Sequence, residues 1–342
     1  MRLKTELHLS RPGIALPTTR VDNAEIVRRV RENFRGNDVH WRVLNAAIER
    51  VFSACNTQVR YLAPNEDERV GDYAVAAARQ CLEINGVDVD SVDLVICGGI
   101  ARQYFEPATA MEVASKLGLD RAHALDVTCA CVGHLEAVHA AAGYLTLHEE
   151  YDTALLCTAE LSGRFLSFDI QGIRELNDKA AGLTIGNGAA CFLLRRSPFP
   201  GGGIRLVGID TFAAPVHWDL CKVPIDGHFA SSSVQLMRLG KLIPPRLEAF
   251  LDRVGWKASE VDHFAVHQPS ESMMRKILKK VGADPERAVY THHLYGNTAS
   301  ASVGLAMHRL LAERTVRSGD RFLLGSAAAG FAMVVATGEW RD

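Results

Sequence analysis

Two stretches of this 342-residue chain resemble one another at a nearly constant distance along the sequence. The apolar run at residues 92–99 has a counterpart at residues 261–268, and the run after Asp152 has one after Asp320. The interval from Val92 to Val261 is almost the same as that from Asp152 to Asp320, with helix-type segments inside both halves. Two aligned pairs with matching intervening elements predict a chain built from repeated halves.

Each half alternates apolar strand-type runs with helical segments, which predicts parallel strand pairing and layers of helix on sheet. The Pro- and Gly-rich segment 198–203 is typical of a turn or linker. We therefore expect an N-terminal half at residues 1–200 and a C-terminal half at residues 201–342. Two facing halves would bring the starts of their central helices together.

Composition narrows the class of protein. The chain is 48% hydrophobic and 23% charged, which is an ordinary globular mixture, and its formal net charge is −2. That charge argues against a nucleic-acid partner. No apolar run has the length of a membrane span, and the N-terminus lacks the apolar core of a signal peptide, so we expect a cytoplasmic protein.

The eight cysteines stand singly in apolar stretches, where they act as small hydrophobic residues rather than disulfide partners. Cys129 and Cys131 form a C-x-C pair, but no second pair follows at the spacing of zinc ligands, so no metal is expected.

Cys131 lies between a strand-like stretch and an amphipathic helix. Free backbone N–H groups and the helix dipole favour a thiolate at such a position, and a thiolate is the form that attacks a thioester carbonyl. A buried structural cysteine is the alternative.

His267 ends a predicted buried strand, and Asn297 follows a glycine in a turn ahead of a helix. Alone, each is typical of an ordinary structural residue. In a duplicated α/β chain with a cysteine at a helix start, they complete a Cys–His–Asn set.

Four segments of the chain, DVTCACVGH, VHQPS, GNTASAS and LLGSAAAGFAMV, together resemble the active-site segments of β-ketoacyl-ACP synthase III, in the thiolase superfamily. The resemblance extends from the helix near Asp72 to the end of the chain. It implies a thiolase-like five-layer αβαβα sandwich that forms a homodimer. It also implies substrates carried on coenzyme A or acyl carrier protein, with no other cofactor.

The resemblance assigns roles to single residues. Cys131 would accept the acyl group, and His267 and Asn297 would stabilise the enolate of the second substrate. The backbone N–H groups of Cys131 and Ala329 would form the oxyanion hole, although the alanine-rich loop around Ala329 departs from the family's glycine-rich one.

Glu106 stands where the decarboxylating members of the family have an apolar residue, in a loop that crosses the dimer interface. Its F-E-P-A-T-A setting is similar to the olefin-biosynthesis β-ketoacid synthases, which use a glutamate from the neighbouring subunit as a base. An acid favoured at a helix N-terminus is the alternative.

The N-terminal segment adds two expectations. Residues 23–54 have the spacing of one or two amphipathic helices with a basic face, which would be a docking surface for an acidic carrier or simply a solvated face. Arg60 lies where the family has an arginine near the coenzyme A entrance.

These observations predict a condensing enzyme that forms a β-keto product from two thioesters, in secondary metabolism or lipid chain joining. The second thioester is either a simple acyl group or a malonyl group that loses carbon dioxide. One alternative is an acyltransferase with an oxygen or nitrogen acceptor. Another is a non-catalytic partner subunit, which would typically lack the cysteine.

Overall fold

The computed structural model describes residue 3, residues 5–63 and residues 68–342. The strands are β1 (His8–Leu9), β2 (Gly13–Ala15), β3 (Thr19–Asp22), β4 (Val59–Leu62), β5 (Leu94–Gly98), β6 (His123–Val127), β7 (Thr153–Glu160), β8 (Gly188–Arg195), β9 (Gly203–Ala213), β10 (Cys221–Lys222), β11 (Ala230–Ser231), β12 (His263–Val266), β13 (Arg321–Ala328) and β14 (Ala332–Arg341). The helices are α1 (Asn23–Asn33), α2 (Asp38–Cys55), α3 (Val70–Asn85), α4 (Thr109–Leu117), α5 (Gly133–Leu147), α6 (Ile173–Lys179), α7 (Ser233–Leu239), α8 (Ile243–Val254), α9 (Glu271–Lys280), α10 (His292–Tyr295) and α11 (Ser302–Glu313).

The duplication predicted from the sequence is present in the fold. The strand pair β5 and β12, the helix pair α5 and α11, and the strand pair β7 and β13 each recur at nearly the same interval along the chain. Each central helix follows a short 3₁₀ turn, Ala130–Val132 in the first half and Ala299–Ala301 in the second. The two halves therefore share a common order of elements.

The predicted parallel pairing holds only at the centre of each half. Strand β5 is parallel to β6 and β7, and β12 is parallel to β13. The outer pairs β7–β8, β13–β14 and β14–β9 are antiparallel, so the sheet is mixed. A short turn joins β13 to β14, and a connection of that length can produce only an antiparallel pair.

Strand β1 joins the two half-sheets. It pairs with β8 on one side and with β9 on the other, so the strand order runs β12-β13-β14-β9-β1-β8-β7-β5-β6, with β2 also on β8. The segment 198–203 forms the turn between β8 and β9, as expected. The division at residue 200 stays a prediction.

Three apolar cores define five layers of helix and sheet. Helices α3 and α4 pack on the outer face of the first half-sheet. Helices α5 and α11 lie between the half-sheets and share one core with strands of both halves. Helices α8 and α9 cover the outer face of the second half-sheet. This arrangement is the thiolase-like αβαβα sandwich expected from the sequence.

The N-terminal segment forms two helices, α1 and α2, which pack with α6 through a separate apolar cluster. Asp22 caps the first helix and Asn37 caps the second through side-chain oxygens. The basic residues of α1 have acidic neighbours: Arg28 and Arg29 pair with Glu25 at 2.7 and 2.8 Å. This pairing favours a solvated helix face over a carrier-docking surface.

Over the described ranges, none of the helices is both long and apolar enough to cross a membrane.

Candidate active site

Cys131 lies in the 3₁₀ turn that connects β6 to α5, and its side chain is half-buried. Ala130, just before it, has a left-handed backbone with φ of 45°, a conformation that costs an alanine roughly 1 kcal/mol. The hydroxyl of Ser326 on β13 donates to the carbonyl of Cys131 at 2.9 Å. The second half of the chain therefore fixes the backbone at the cysteine of the first.

Close packing of β5 against α5 fixes the same turn from the other side. A Cβ on Gly98 would lie 2.1 Å from the carbonyl oxygen of Gly133, which excludes any side chain there. Glycine at both positions lets the first residue of the helix touch the end of the strand.

The expected thiolate is not the resting form of Cys131. Burial raises the pKa of its thiol, and the neighbouring Glu160 and Cys221 raise the pKa further. A hydrogen bond from the backbone N–H of Cys131 acts the other way but is outweighed. The expectation was wrong because desolvation of the charged form exceeds the stabilisation that a helix start offers.

His267 follows β12, and its backbone N–H continues the strand pairing by donating to Gly325 at 2.8 Å. Its Nδ1 lies 2.6 Å from the hydroxyl oxygen of Ser302, which itself donates to the carbonyl of Ala299 at 2.7 Å. Since the serine proton is used there, Nδ1 must carry the proton and Nε2 the free lone pair. Burial, helped by His292, lowers the pKa of His267 to about 3, so the ring is neutral.

Asn297 lies in the turn ahead of α11 and is held by its backbone on both sides. Its N–H donates to Thr184 at 2.8 Å, and its carbonyl accepts from Gly186 at 3.0 Å. Its side-chain Oδ1 accepts from the N–H of Ala299 at 3.0 Å. The amide oxygen is thereby occupied, which leaves the Nδ2 group as the donor available to a ligand.

The structure brings the two helix starts together, as the duplication predicted. The turn Ala130–Val132 contacts both β13 and the turn Ala299–Ala301. Ala299 has φ of 46°, which matches the 45° of Ala130 in the first half. Ser302, at the start of α11, ties His267 to this second turn. Segments from both halves therefore meet around Cys131.

Ala329 lies in the turn between β13 and β14. The left-handed residue of this turn is Gly330, with φ of 84°, whereas Ala329 is not among the described non-glycine residues with positive φ. Alanine therefore occupies position 329 without backbone strain.

Glu106 is exposed, beside Phe105, which is 79% exposed. Within the part of the chain that the structure describes, its carboxylate has no hydrogen bond or ion pair. The loop is not an ordinary helix start, since α4 begins only at Thr109 and its first N–H groups are bound by Asp126. The alternative of a dipole-stabilising acid is therefore not supported by a contact.

Arg60 does not lie at a surface entrance, contrary to expectation. It is wholly buried, donates to the side chain of Asn23 and the carbonyl of Leu183 at 2.9 Å each, and lies over the ring of Phe52. Burial lowers the pKa of its guanidinium to about 10. In this conformation it joins α1 and α2 to the rest of the chain.

Glu160 is a buried carboxylate at the end of β7 that sequence reasoning missed. It accepts from the hydroxyl of Ser300 and from the backbone N–H groups of Ile100 and Ala101. Burial raises its pKa, and its charge acts on Cys131. An acid closing an otherwise apolar buried strand was the available signal.

Among the described residues, no cluster of His, Cys, Asp and Glu has the arrangement of a metal site.

Comparisons with known proteins agree with the fold. Residues 251–340 match the family model described as 3-oxoacyl-[acyl-carrier-protein (ACP)] synthase III C terminal. The β-ketoacyl-[acyl-carrier-protein] synthase III of Rhodospirillum rubrum is 30% identical over 331 residues, covering 93% of this chain and 94% of that protein.

A sequence match and a structural match come from Xanthomonas campestris. Its acyl-CoA:acyl-CoA alkyltransferase is 28% identical over 285 residues, covering 81% of this chain and 84% of the relative. A crystal structure of a variant of OleA superposes with a TM-score of 0.89 at 24% identity, covering 99% of this chain and 100% of that one. At this identity the structural likeness establishes the fold. The sequence match to the Rhodospirillum enzyme shows in addition that the chain belongs to the β-ketoacyl-ACP synthase III family, as a condensing enzyme of the acyltransferase class.

Proposed function

We propose that this enzyme loads an acyl group from a thioester onto Cys131 and joins it to a second acyl thioester, releasing a β-keto product. The observation that carries the proposal is the contact between the Cys131 turn and the turn that follows Asn297, with His267 tied to the latter through Ser302. These groups supply a nucleophile, a base and a carbonyl-binding donor.

In the first step, the free Nε2 of His267 would take the thiol proton of Cys131. The sulfur would then bond to the acyl carbonyl carbon, and the carrier thiolate would leave with the proton from His267. The backbone N–H groups of Cys131 and Ala329 are proposed as the oxyanion donors for this step. A neutral histidine and a protonated thiol suit this order of events.

In the second step, Glu106 of the other subunit would remove the α-proton of the second acyl thioester. The amide Nδ2 of Asn297 is proposed to donate to the enolate oxygen. His267 has by then returned its proton to the carrier thiolate, so its Nε2 has none to donate. The carbanion would attack the acyl carbon on Cys131, forming the carbon–carbon bond and returning the sulfur as the leaving group. Glu106 has no competing partner among the described residues of its own subunit, which supports a role outside it.

A homodimer is proposed because β6 ends the strand order of the sheet, and no described strand pairs with its outer side. Around it, Tyr104, Phe105 and Met111 are 48%, 79% and 52% exposed. An apolar set beside an open strand edge is typical of a protein interface. Pairing of two β6 strands would cover these side chains and carry each Glu106 toward the other subunit.

The substrates proposed are acyl thioesters on coenzyme A or acyl carrier protein, with no other cofactor. The names of the two relatives specify one carrier each, acyl carrier protein and coenzyme A. A role in fatty-acid or polyketide biosynthesis follows from the reaction class, and secondary metabolism or lipid chain joining in the cytoplasm stays a prediction from the sequence.

The test uses Glu106→Gln with simple acyl-CoA substrates. We expect the intact mass of Cys131 to show normal acylation, while β-keto product falls at least a hundredfold, because a neutral amide cannot take the α-proton. Malonyl thioester is the matched control. Full condensation by the variant, or dependence of the native enzyme on malonyl thioester with carbon dioxide release, would replace this route by the decarboxylating one.

A further inference from the structure

The loop that carries Glu106 runs from the end of β5 to the start of α4, and a carboxylate binds the chain at each end of it. At the first end, Glu160 accepts from Ile100 at 3.1 Å and from Ala101 at 3.2 Å. At the second end, Asp126 accepts from Thr109 at 2.8 Å and from Ala110 at 2.9 Å. Each acid binds two consecutive backbone N–H groups, one with each oxygen.

The two acids come from the strands that flank β5. Glu160 is the last residue of β7, and Asp126 is the fourth residue of β6, so each lies near the carboxyl end of its strand. Both strands pair in parallel with β5, which fixes their positions relative to the loop. The sheet itself therefore sets the distance between the two carboxylates that hold the loop ends.

Between these two ends, the contacts made by described residues involve the first part of the loop. The backbone carbonyl of Arg102 accepts from Arg164 at 2.7 Å, and the Tyr104 hydroxyl bonds Arg69. Phe105 and Glu106 are exposed. The tip is thus free to meet another surface while both ends are fixed.

Glu160 also connects the loop to the second half of the chain. Its Oε1 accepts from the hydroxyl of Ser300, which is the counterpart of Cys131 in the duplicated order, since each is the middle residue of its 3₁₀ turn. One buried carboxylate thus bonds the start of the Glu106 loop and the turn that follows Asn297.

We propose that Glu160 and Asp126 are positioning residues that preset the Glu106 loop for insertion into the other subunit, an inference that rests on the proposed role of Glu106. Neither acid touches the substrate in this scheme. Their carboxylates fix the loop ends before the subunits meet, so that the base arrives in one orientation. Small errors of position are costly for a proton transfer, and a shift of about 1 Å lowers rates by up to about a hundredfold.

The experiment compares Glu160→Gln and Asp126→Ala in the full-length enzyme. Asp93→Ala is the matched control, because Asp93 also accepts from two backbone N–H groups, those of Asp152 and Thr153, but at the opposite end of β5. Three quantities are measured: hydrogen exchange of the loop amides at residues 99–110, which include the four bound by the two carboxylates, acylation of Cys131 by mass, and β-keto product formation. Thermal unfolding reports general loss of stability.

We expect both test variants to exchange the loop amides at least tenfold faster and to condense about tenfold more slowly or worse. Asp126→Ala should acylate Cys131 within threefold of the native rate. Asp93→Ala should lose a similar amount of stability and leave loop exchange and condensation unchanged. Asp126→Asn, which keeps one acceptor oxygen, should give intermediate exchange and stands in if the alanine variant does not fold.

The proposal is overturned if the loop amides exchange at the native rate in both test variants. It is also overturned if Asp93→Ala speeds their exchange as much as the test variants do. The exchange measurement does not depend on what Glu106 does. Full condensation by Glu106→Gln would therefore reject Glu106 as the base. The hydrogen-exchange result would still decide whether Glu160 and Asp126 hold the loop.

Discussion

The hydroxyl oxygen of Ser302 lies 2.6 Å from Nδ1 of His267 and gives its own proton to the carbonyl of Ala299. This chain of two bonds fixes both the orientation and the tautomer of the ring, with the lone pair on Nε2. Ser302 therefore controls which nitrogen of His267 can accept a proton.

Replacing Ser302 with alanine tests that control. The ring loses the acceptor at Nδ1 and gains freedom to rotate, so we expect product formation to fall by roughly tenfold, which is modest for a positioning error. Ser302→Thr keeps the hydroxyl and should retain most of the activity. Native rates in the alanine variant would show that the ring is held without this serine.

Glu160→Gln should make Cys131 easier to ionise. The negative charge of Glu160 raises the pKa of the thiol, so its removal lowers that pKa while burial continues to oppose ionisation. The measurement is the rate of alkylation of Cys131 by iodoacetamide at a fixed, mildly alkaline pH, which should rise because a larger fraction of the thiol is ionised. A control with Cys131→Ala removes the signal from the site. An unchanged rate of alkylation would mean that the charge of Glu160 does not act on the sulfur.

Stability should fall as the pH falls below about 6.5, the usual pKa of histidine in an unfolded chain. Burial lowers the pKa of His134 and His292 to about 4 and that of His267 to about 3. Below the unfolded pKa, these residues therefore bind protons in the unfolded chain but not in the folded one. The stabilisation from each neutral ring is complete above the unfolded pKa and is lost as the pH falls toward the folded one. Between about pH 8 and pH 5 this amounts to about 2 kcal/mol per residue.

Thermal unfolding across this range provides the measurement, with His134→Gln as the informative variant. The ring of His134 bonds the carbonyl of Leu156 through Nε2 and stacks on Phe192, outside the group around Cys131. Glutamine preserves a polar contact but does not titrate, so the pH slope should become shallower. Equal slopes for the variant and the native enzyme would contradict the assignment.

Arg60→Met should weaken the fold without changing substrate affinity. The variant loses the charged hydrogen bonds to Asn23 and Leu183, which lowers the free energy of unfolding by about 2–3 kcal/mol. The KM for acyl-CoA should stay within twofold, since the guanidinium is buried. Native stability together with a raised KM would restore Arg60 as a coenzyme A contact.

The duplicated order of elements was predictable because local apolar periodicity repeats at a fixed interval. The positions of Cys131, His267 and Asn297 followed from it, since each lies at the end of a strand or the start of a helix. The mixed direction of the sheet was not predictable from the alternation of strands and helices. That pattern does not show that β8 pairs antiparallel with β7, or β14 with β13.

The electrostatics of the site could not be predicted from the sequence for a different reason. Whether Cys131 is ionised depends on how much water surrounds it and on Glu160, which reaches it only through the folded end of β7. The interior position of Arg60 depends on the packing of α2 and on a carbonyl at Leu183, which is remote from it along the chain. Such long-range contacts leave no local pattern.

The left-handed alanines at positions 130 and 299 give both halves a similar backbone bend just before their central helices. After that bend one half presents a sulfur at Cys131 and the other a hydroxyl at Ser300. A similar backbone turn thus carries different side chains in the two halves. Divergence of the two repeats could therefore create an asymmetric reaction centre without any rebuilding of the main chain.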